Sequence, residues 1–202
     1  GNSSEWIVKI CEAHSGSNAI SEKIDRESKN EKEFTFYPRF LAALLRFSDE
    51  LDEDKQRIGD RVITLLPKEK EAFWFFCRCN DSIDIEEDEF QNRTIIIECK
   101  INRSELFQKL KKENSGGTII EEVIGIEEYV KRIDKINKER KYCALYLKPH
   151  FFKSPDKIEL RLDIYDVDNR TCLDRINFVY DDANGYNEFF RYNATILEKY
   201  RG

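Results

Sequence analysis

Leu41-Ala42-Ala43-Leu44-Leu45-Arg46-Phe47-Ser48-Asp49-Glu50-Leu51-Asp52 is the stretch on which the organisation of the chain turns. Its apolar residues recur at helical spacing, and Pro38 just upstream suits a first helical turn. The pattern predicts a helix from Pro38 to Leu51 whose apolar stripe is Phe40, Leu41, Leu44, Leu45 and Leu51. At about 100° per residue, Asp52 falls at the edge of that stripe, and Asp49 just beyond it on the flank of Ala42 and Leu45. Both sit in the last turns, where the helix dipole disfavours negative charge. Asp49, Glu50, Asp52, Glu53 and Asp54 crowd one end, so a bound cation or an arginine is expected there.

Toward the N-terminus, Ile7, Ile10, Cys11 and His14 share one helical face and predict a helix over 5–14, with His14 turned toward the bundle interior. Ser15-Gly16-Ser17 stops it, and the polar run up to Thr35 reads as a long loop or a short polar helix. A third helix is predicted over 55–66, with Ile58, Val62 and Leu65 on one face and Pro67 at its end.

Beyond Pro67 the period changes. Strands are predicted at Phe73–Cys79, Ile83–Ile85 and Thr94–Ile101, and a short helix at 104–112. Thr118 and Glu121 have capping-box spacing for a further helical stretch, continued by Ile126, Tyr129, Val130, Ile133 and Ile136. Tyr142–Leu147 reads as a buried strand. Ile158, Leu160, Leu162 and Ile164 alternate with polar residues, the clearest strand signal in the chain. A turn at Asp166–Arg170, a partner strand over Thr171–Tyr180 and a closing helix from Tyr186 complete an α+β fold. The expected domains are 1–66, a helical bundle, and 67–202, a mixed or antiparallel sheet with packed helices.

The formal charge of −6 opposes a phosphate backbone, which argues against nucleic acid. The basic stretch with Lys131, Arg132, Lys135, Lys138, Arg140 and Lys141 reads as a solvated helix face. No apolar run reaches the roughly 18 residues of a membrane helix. The six cysteines fall mostly in apolar runs and fit a reducing, cytoplasmic compartment as free thiols. Cys77-Arg78-Cys79 lacks a second pair for zinc, and Asp166-Val167-Asp168-Asn169 lacks the glycine of a calcium loop. On the residues alone, Asp49 and Asp52 are either a solvated helix end or metal ligands. His14 is either a satisfied core histidine or a site residue.

The run Leu41–Asp52 resembles the final motif of HD-superfamily metal-dependent phosphohydrolases, where a helix of this pattern supplies the last metal-binding aspartate. Asp49 takes that position and Asp52 matches the second aspartate of the motif. Ile10-Cys11-Glu12-Ala13-His14 resembles the helix that carries an auxiliary active-site histidine in larger members, which casts His14 as a catalytic accessory. Phe73-Trp74-Phe75-Phe76 and the strands after it resemble a bacterial group found in conflict systems, sometimes joined to a GHKL-type ATPase.

The resemblance implies a divalent metal (Mn, Fe or Mg) in the complete domain, activating water against a phosphate ester, with a nucleotide as substrate. The first histidine and the adjacent His-Asp pair of the family have no counterpart, because neither His14 nor His150 precedes an aspartate. The chain begins at Gly1 and contains no methionine, so a trimmed product is expected, with those ligands upstream and this piece inactive alone. The other expectation is a non-enzymatic sensing or interaction module coupled to an ATPase or another partner, its C-terminal sheet serving as a contact or homodimer surface.

Overall fold

The computed structural model describes residues 3–14, 19–25, 28–31, 34–53, 55, 70–113, 120–150 and 153–201. The fold is α+β, and it divides into two compact units. A helical unit holds residues 1–51 and 138–154, and a sheet unit holds 52–137 and 155–202. The boundary expected at 66/67 and the helix expected over 55–66 lie, apart from Lys55, outside the described residues.

The helical unit contains α1 (Ser3–His14), α2 (Ile20–Lys23), the hairpin β1 (Lys29–Glu31) and β2 (Phe34–Phe36), and α3 (Pro38–Leu51). Its core is Trp6, Ala13, Ile20, Ile24, Ala42, Ala43, Phe47, Cys143 and Leu147. Both long helices are rotated from the faces that periodicity suggested. α1 buries Trp6 and Ala13 and leaves Ile7 and Cys11 exposed; α3 buries Ala42, Ala43 and Phe47 and leaves Leu41 and Leu45 exposed. The reason is packing: small side chains at Ala13, Ala42 and Ala43 allow α1 and α3 to approach closely, and the bulk of Trp6 and Phe47 fills what remains. Polar bonds hold the loops down. The Ile20 amide donates to Tyr142 Oη at 2.6 Å, Arg39 Nε donates to the Ile24 carbonyl at 2.8 Å, and Arg46 grips both oxygens of Glu139 at 2.7 Å.

The sheet unit contains α4 (Glu71–Cys79), β3 (Asn80–Glu87), β4 (Arg93–Asn102), β5 (Lys109–Glu113), β6 (Ile120–Ile124), β7 (Lys157–Tyr165), β8 (Cys172–Tyr180) and α6 (Tyr186–Glu198). Helix α5 (Gly125–Leu147) gives its first part to this unit and its last part to the helical one. The main sheet runs β3-β4-β7-β8, with only the central β4–β7 pair parallel. A parallel pair needs a long crossover, and the β5–β6 hairpin and α5 supply it. One sheet face carries Ile95, Ile97, Cys99, Ile101, Ile158, Leu160, Leu162 and Ile164, all buried. α6 packs on it through Phe189, whose ring meets Phe178 of β8 edge-on at 5.4 Å. The opposite face carries Glu98, Lys100, Glu159, Arg161, Asp163 and Arg175.

Four local expectations are overturned. Phe73–Cys79 is helix α4, because Ala72, Phe75, Phe76 and Cys79 bury one helical face and a continuous apolar run does not reveal its period. Tyr142–Leu147 is the end of α5; nothing interrupts the helix before Pro149, and Cys143, Ala144 and Leu147 continue its buried side. The helix expected at 104–112 is a turn followed by β5, since pairing with β6 outweighs the local helical pattern. Glu121 lies in β6, so the helix starts later, at Gly125. There a Cβ would come within 2.8 Å of the Glu105 carbonyl oxygen, which requires glycine.

Candidate functional site

Asp49 closes an exposed row on α3. Leu41, Leu45 and Asp49 follow one another at four-residue spacing, and the two leucines are 38% and 40% exposed. Asp52 follows the helix end and is exposed too. α1 shows the same construction: Ile7, 62% exposed, and the exposed Cys11 lead to His14, which is half-buried at the helix C-terminus. Each helix is therefore apolar on two sides, one packed in the unit and one open, and each open side ends at a residue singled out by its chemistry.

His14 Nδ1 donates to the Cys11 carbonyl oxygen. A carbonyl only accepts, so Nδ1 is the donor of this bond and Nε2 is the ring atom turned to any further contact. Among the described residues no hydrogen bond or ion pair joins His14 to Asp49. No three His, Cys, Asp or Glu side chains among them converge to hold a metal. His150, the other histidine, packs between aromatic rings, 4.2 Å from Tyr37 and 5.3 Å from Phe40.

Downstream of α3 the acidic run meets an arginine, within the sheet unit. Glu53 is only 4% exposed, and Arg132 of α5 binds both its oxygens, with Nε 2.7 Å from Oε2. The Glu53 carbonyl accepts from Asn80 Nδ2 at 2.9 Å, and Asn80 Oδ1 accepts from Tyr129 Oη at 2.6 Å. Asn80 and Tyr129 are fully buried, so this chain of bonds ties the segment after Asp52 to the start of β3. Lys55 reaches Asp81 at 2.5 Å, and Lys100 binds the same carboxylate. Burial works against the Asp81 charge, but its hydrogen bonds to Lys100 and Lys55 outweigh it and hold the group below the usual carboxylate range. The sequence pattern places Arg132 on a solvated face. Lys131, Lys135 and Lys138 fit that reading, whereas Arg132 and the buried Arg140 turn inward.

The remaining motifs are structural. Cys77 and Cys79 are buried free thiols at the end of α4, and Cys99 and Cys143 are buried as well. Burial pushes the Cys143 thiol up to about 12 and lifts Cys79 and Cys99 well above their ordinary value, so none is a thiolate at neutral pH. Asp166–Arg170 is a hairpin turn; Asn169 adopts φ 59°, and Asn102 Nδ2 bonds its side chain and the carbonyls of Asp166 and Val167. No helix among the described residues is long and apolar enough to cross a membrane.

A family model described as HD-CE matches residues 2–123, more than half of the chain, and the chain belongs to that family. No curated protein and no solved structure matches it.

Proposed function

We propose that this HD-CE chain forms one wall of an HD-type, metal-dependent phosphohydrolase site completed by residues outside these 202. In this reading Asp49 is a metal ligand, Asp52 is the second aspartate of the same motif and a further candidate ligand, and His14 Nε2 contacts the metal or a substrate phosphate. The divalent ion (manganese, iron or magnesium) is held only once histidines and a His-Asp pair join from elsewhere, so the chain alone is inactive. A nucleotide phosphate ester is the substrate class. A bacterial conflict system and the cytoplasm are the setting that accompanies the resemblance.

The observation that supports this reading is the pair of open apolar rows, Leu41–Leu45 on α3 and Ile7–Cys11 on α1, which lead to Asp49 and His14. A helix that is apolar on two sides is built to be covered on both. Whatever covers these rows arrives next to the two candidate side chains. The test is phosphohydrolase profiling of the intact protein against a nucleotide panel with each divalent ion. Metal-dependent release of phosphate or pyrophosphate, abolished by Asp49→Ala, is expected; an intact protein inert with every ion and nucleotide would overturn the reading.

A second reading is a non-enzymatic module that couples to a GHKL-type ATPase or another partner. It draws support from α5, a single 23-residue helix that contributes residues to both units.

A further inference from the structure

Within the sheet unit, α4, β5 and the first turns of α5 border a cleft of about 450 Å³. That volume falls in the roughly 300–1,000 Å³ range of small-molecule sites. α4 gives an aromatic wall of Phe73, Trp74 and Phe76; β5 gives Lys112; α5 gives Glu128 and Arg132. Phe76 is buried against Tyr129, their ring centroids 4.9 Å apart. Phe73 and Trp74 stay half-buried and meet edge to face at 4.9 Å. Two large rings left partly open on one side of a cleft make a surface for another flat ring.

Most charges of the cleft are matched: Arg132 holds Glu53, and Lys112 bonds Glu128 Oε1. Three polar groups are not. The Trp74 Nε1 donor and the Glu128 Oε2 acceptor are both buried and have no hydrogen-bond partner among the described residues. The Glu128 side chain is only 12% exposed, so water does not freely replace the absent bond. Buried donors and acceptors are normally paired, and an orphan of each kind in one cleft calls for a partner that offers both an acceptor and a donor. The third group is Lys70, exposed at the N-cap of α4 and lining the same cleft, with no ion pair among the described residues. A helix N-terminus adds to its preference for an anion. A purely apolar ligand would strand both buried atoms, and a bare inorganic anion would leave the rings uncovered.

We propose that this cleft binds a planar nitrogen heterocycle that carries an anionic tail, the chemistry shared by mononucleotides and by heterocyclic carboxylates. The ring lies against Phe73 and Trp74. A ring nitrogen or carbonyl accepts from Trp74 Nε1, an amino group or ring N–H donates to Glu128 Oε2, and the tail pairs with Lys70. Such heterocycles carry acceptor and donor side by side, so one ligand satisfies both orphans. The site is independent of the phosphohydrolase reading, since its residues lie in the sheet unit and His14 and Asp49 do not.

The test is calorimetric titration of the 202-residue chain in EDTA, which takes any metal centre out of play. The probes are AMP, GMP and pterin-6-carboxylate, each beside its tail-free counterpart, adenosine, guanosine or pterin. One-site binding of at least one anionic probe is expected, and the arm that binds more tightly identifies the source. In a Trp6→Phe background that probe should quench Trp74 fluorescence. Trp74→Phe keeps a ring on the wall but removes the N–H, and should weaken binding by about three- to tenfold. Lys70→Ala should bring the anionic probe to the affinity of its tail-free counterpart and leave the counterpart unchanged. No binding of any probe, binding that leaves Trp74 emission unaltered, or binding indifferent to both W74F and K70A would each overturn the proposal. Lys70 is exposed, so K70A stays decisive even where W74F disturbs α4.

Discussion

Replacing Arg132 with methionine removes the guanidinium from a carboxylate that stays buried. Glu53 is 4% exposed and receives two bonds from Arg132, whose own side chain is 23% exposed. Breaking a buried pair from one side costs about 3–5 kcal/mol, because the remaining charge loses the guanidinium without regaining water. Partial solvent access at Arg132 places this pair near the lower end, about 3 kcal/mol. Asn80 still holds the Glu53 carbonyl, so the segment is not released to solvate the acid. With a urea dependence of about 2 kcal/mol per molar, the unfolding midpoint should fall by roughly 1.5 M. Trp74 lies in the sheet unit and Trp6 in the helical one, so Trp74 fluorescence in a Trp6→Phe background reads the relevant transition. Adding Glu53→Gln to the methionine variant should restore about 1–2 kcal/mol, since the stranded charge disappears. A loss below about 1 kcal/mol for Arg132→Met, as at a surface pair, would refute the buried-anchor reasoning.

Two further perturbations probe other parts of the sheet unit. Gly125→Ala drives a methyl to 2.8 Å from the Glu105 carbonyl oxygen and 3.2 Å from the Phe75 ring. Overpacking of about 1–3 kcal/mol should exceed the ~1 kcal/mol that alanine gains in a helix, giving a net loss in urea melts; a stabilised variant would contradict the close approach. Asp81 titrates below its ordinary value when folded, owing to Lys100 and Lys55, so its stabilising contribution is present above an unfolded pKa of about 3.9 and is lost as pH falls through the lower folded value. Asp81→Asn should therefore reduce stability at neutral pH and flatten the acid-side decline below about pH 4. Parallel pH profiles for the two proteins would count against the lysine clamp.

Much of the fold could be read from local pattern. β7, with its strict alternation, and β8 after the Asp166–Arg170 turn emerged where expected, as did α3 from Pro38 and α6 from Tyr186. The failures share a cause: the apolar runs Phe73–Cys79 and Tyr142–Leu147 carry no period, and the mid-chain hairpin β5–β6 is fixed by a partner strand that local pattern does not contain. The rotated faces of α1 and α3 show a second limit. Both helices are apolar on two sides, and which side is packed depends on alanines that score weakly as hydrophobic but allow close approach. The crowding of acids after Asp49 did signal a need for positive charge, and Arg132 answers it at Glu53. That the arginine comes from a helix read as solvated could not be inferred, because the pairing spans 79 positions of chain.

The most direct test of the site is the metal content of the intact protein that carries this chain, measured by mass spectrometry for the wild type and for Asp49→Ala after equal exposure to manganese or iron. If Asp49 is a ligand, the wild type holds the metal and the variant loses most of it while keeping its helical circular dichroism. Equal metal in both proteins would remove Asp49 from the site and leave the open rows on α1 and α3 as a contact surface without chemistry.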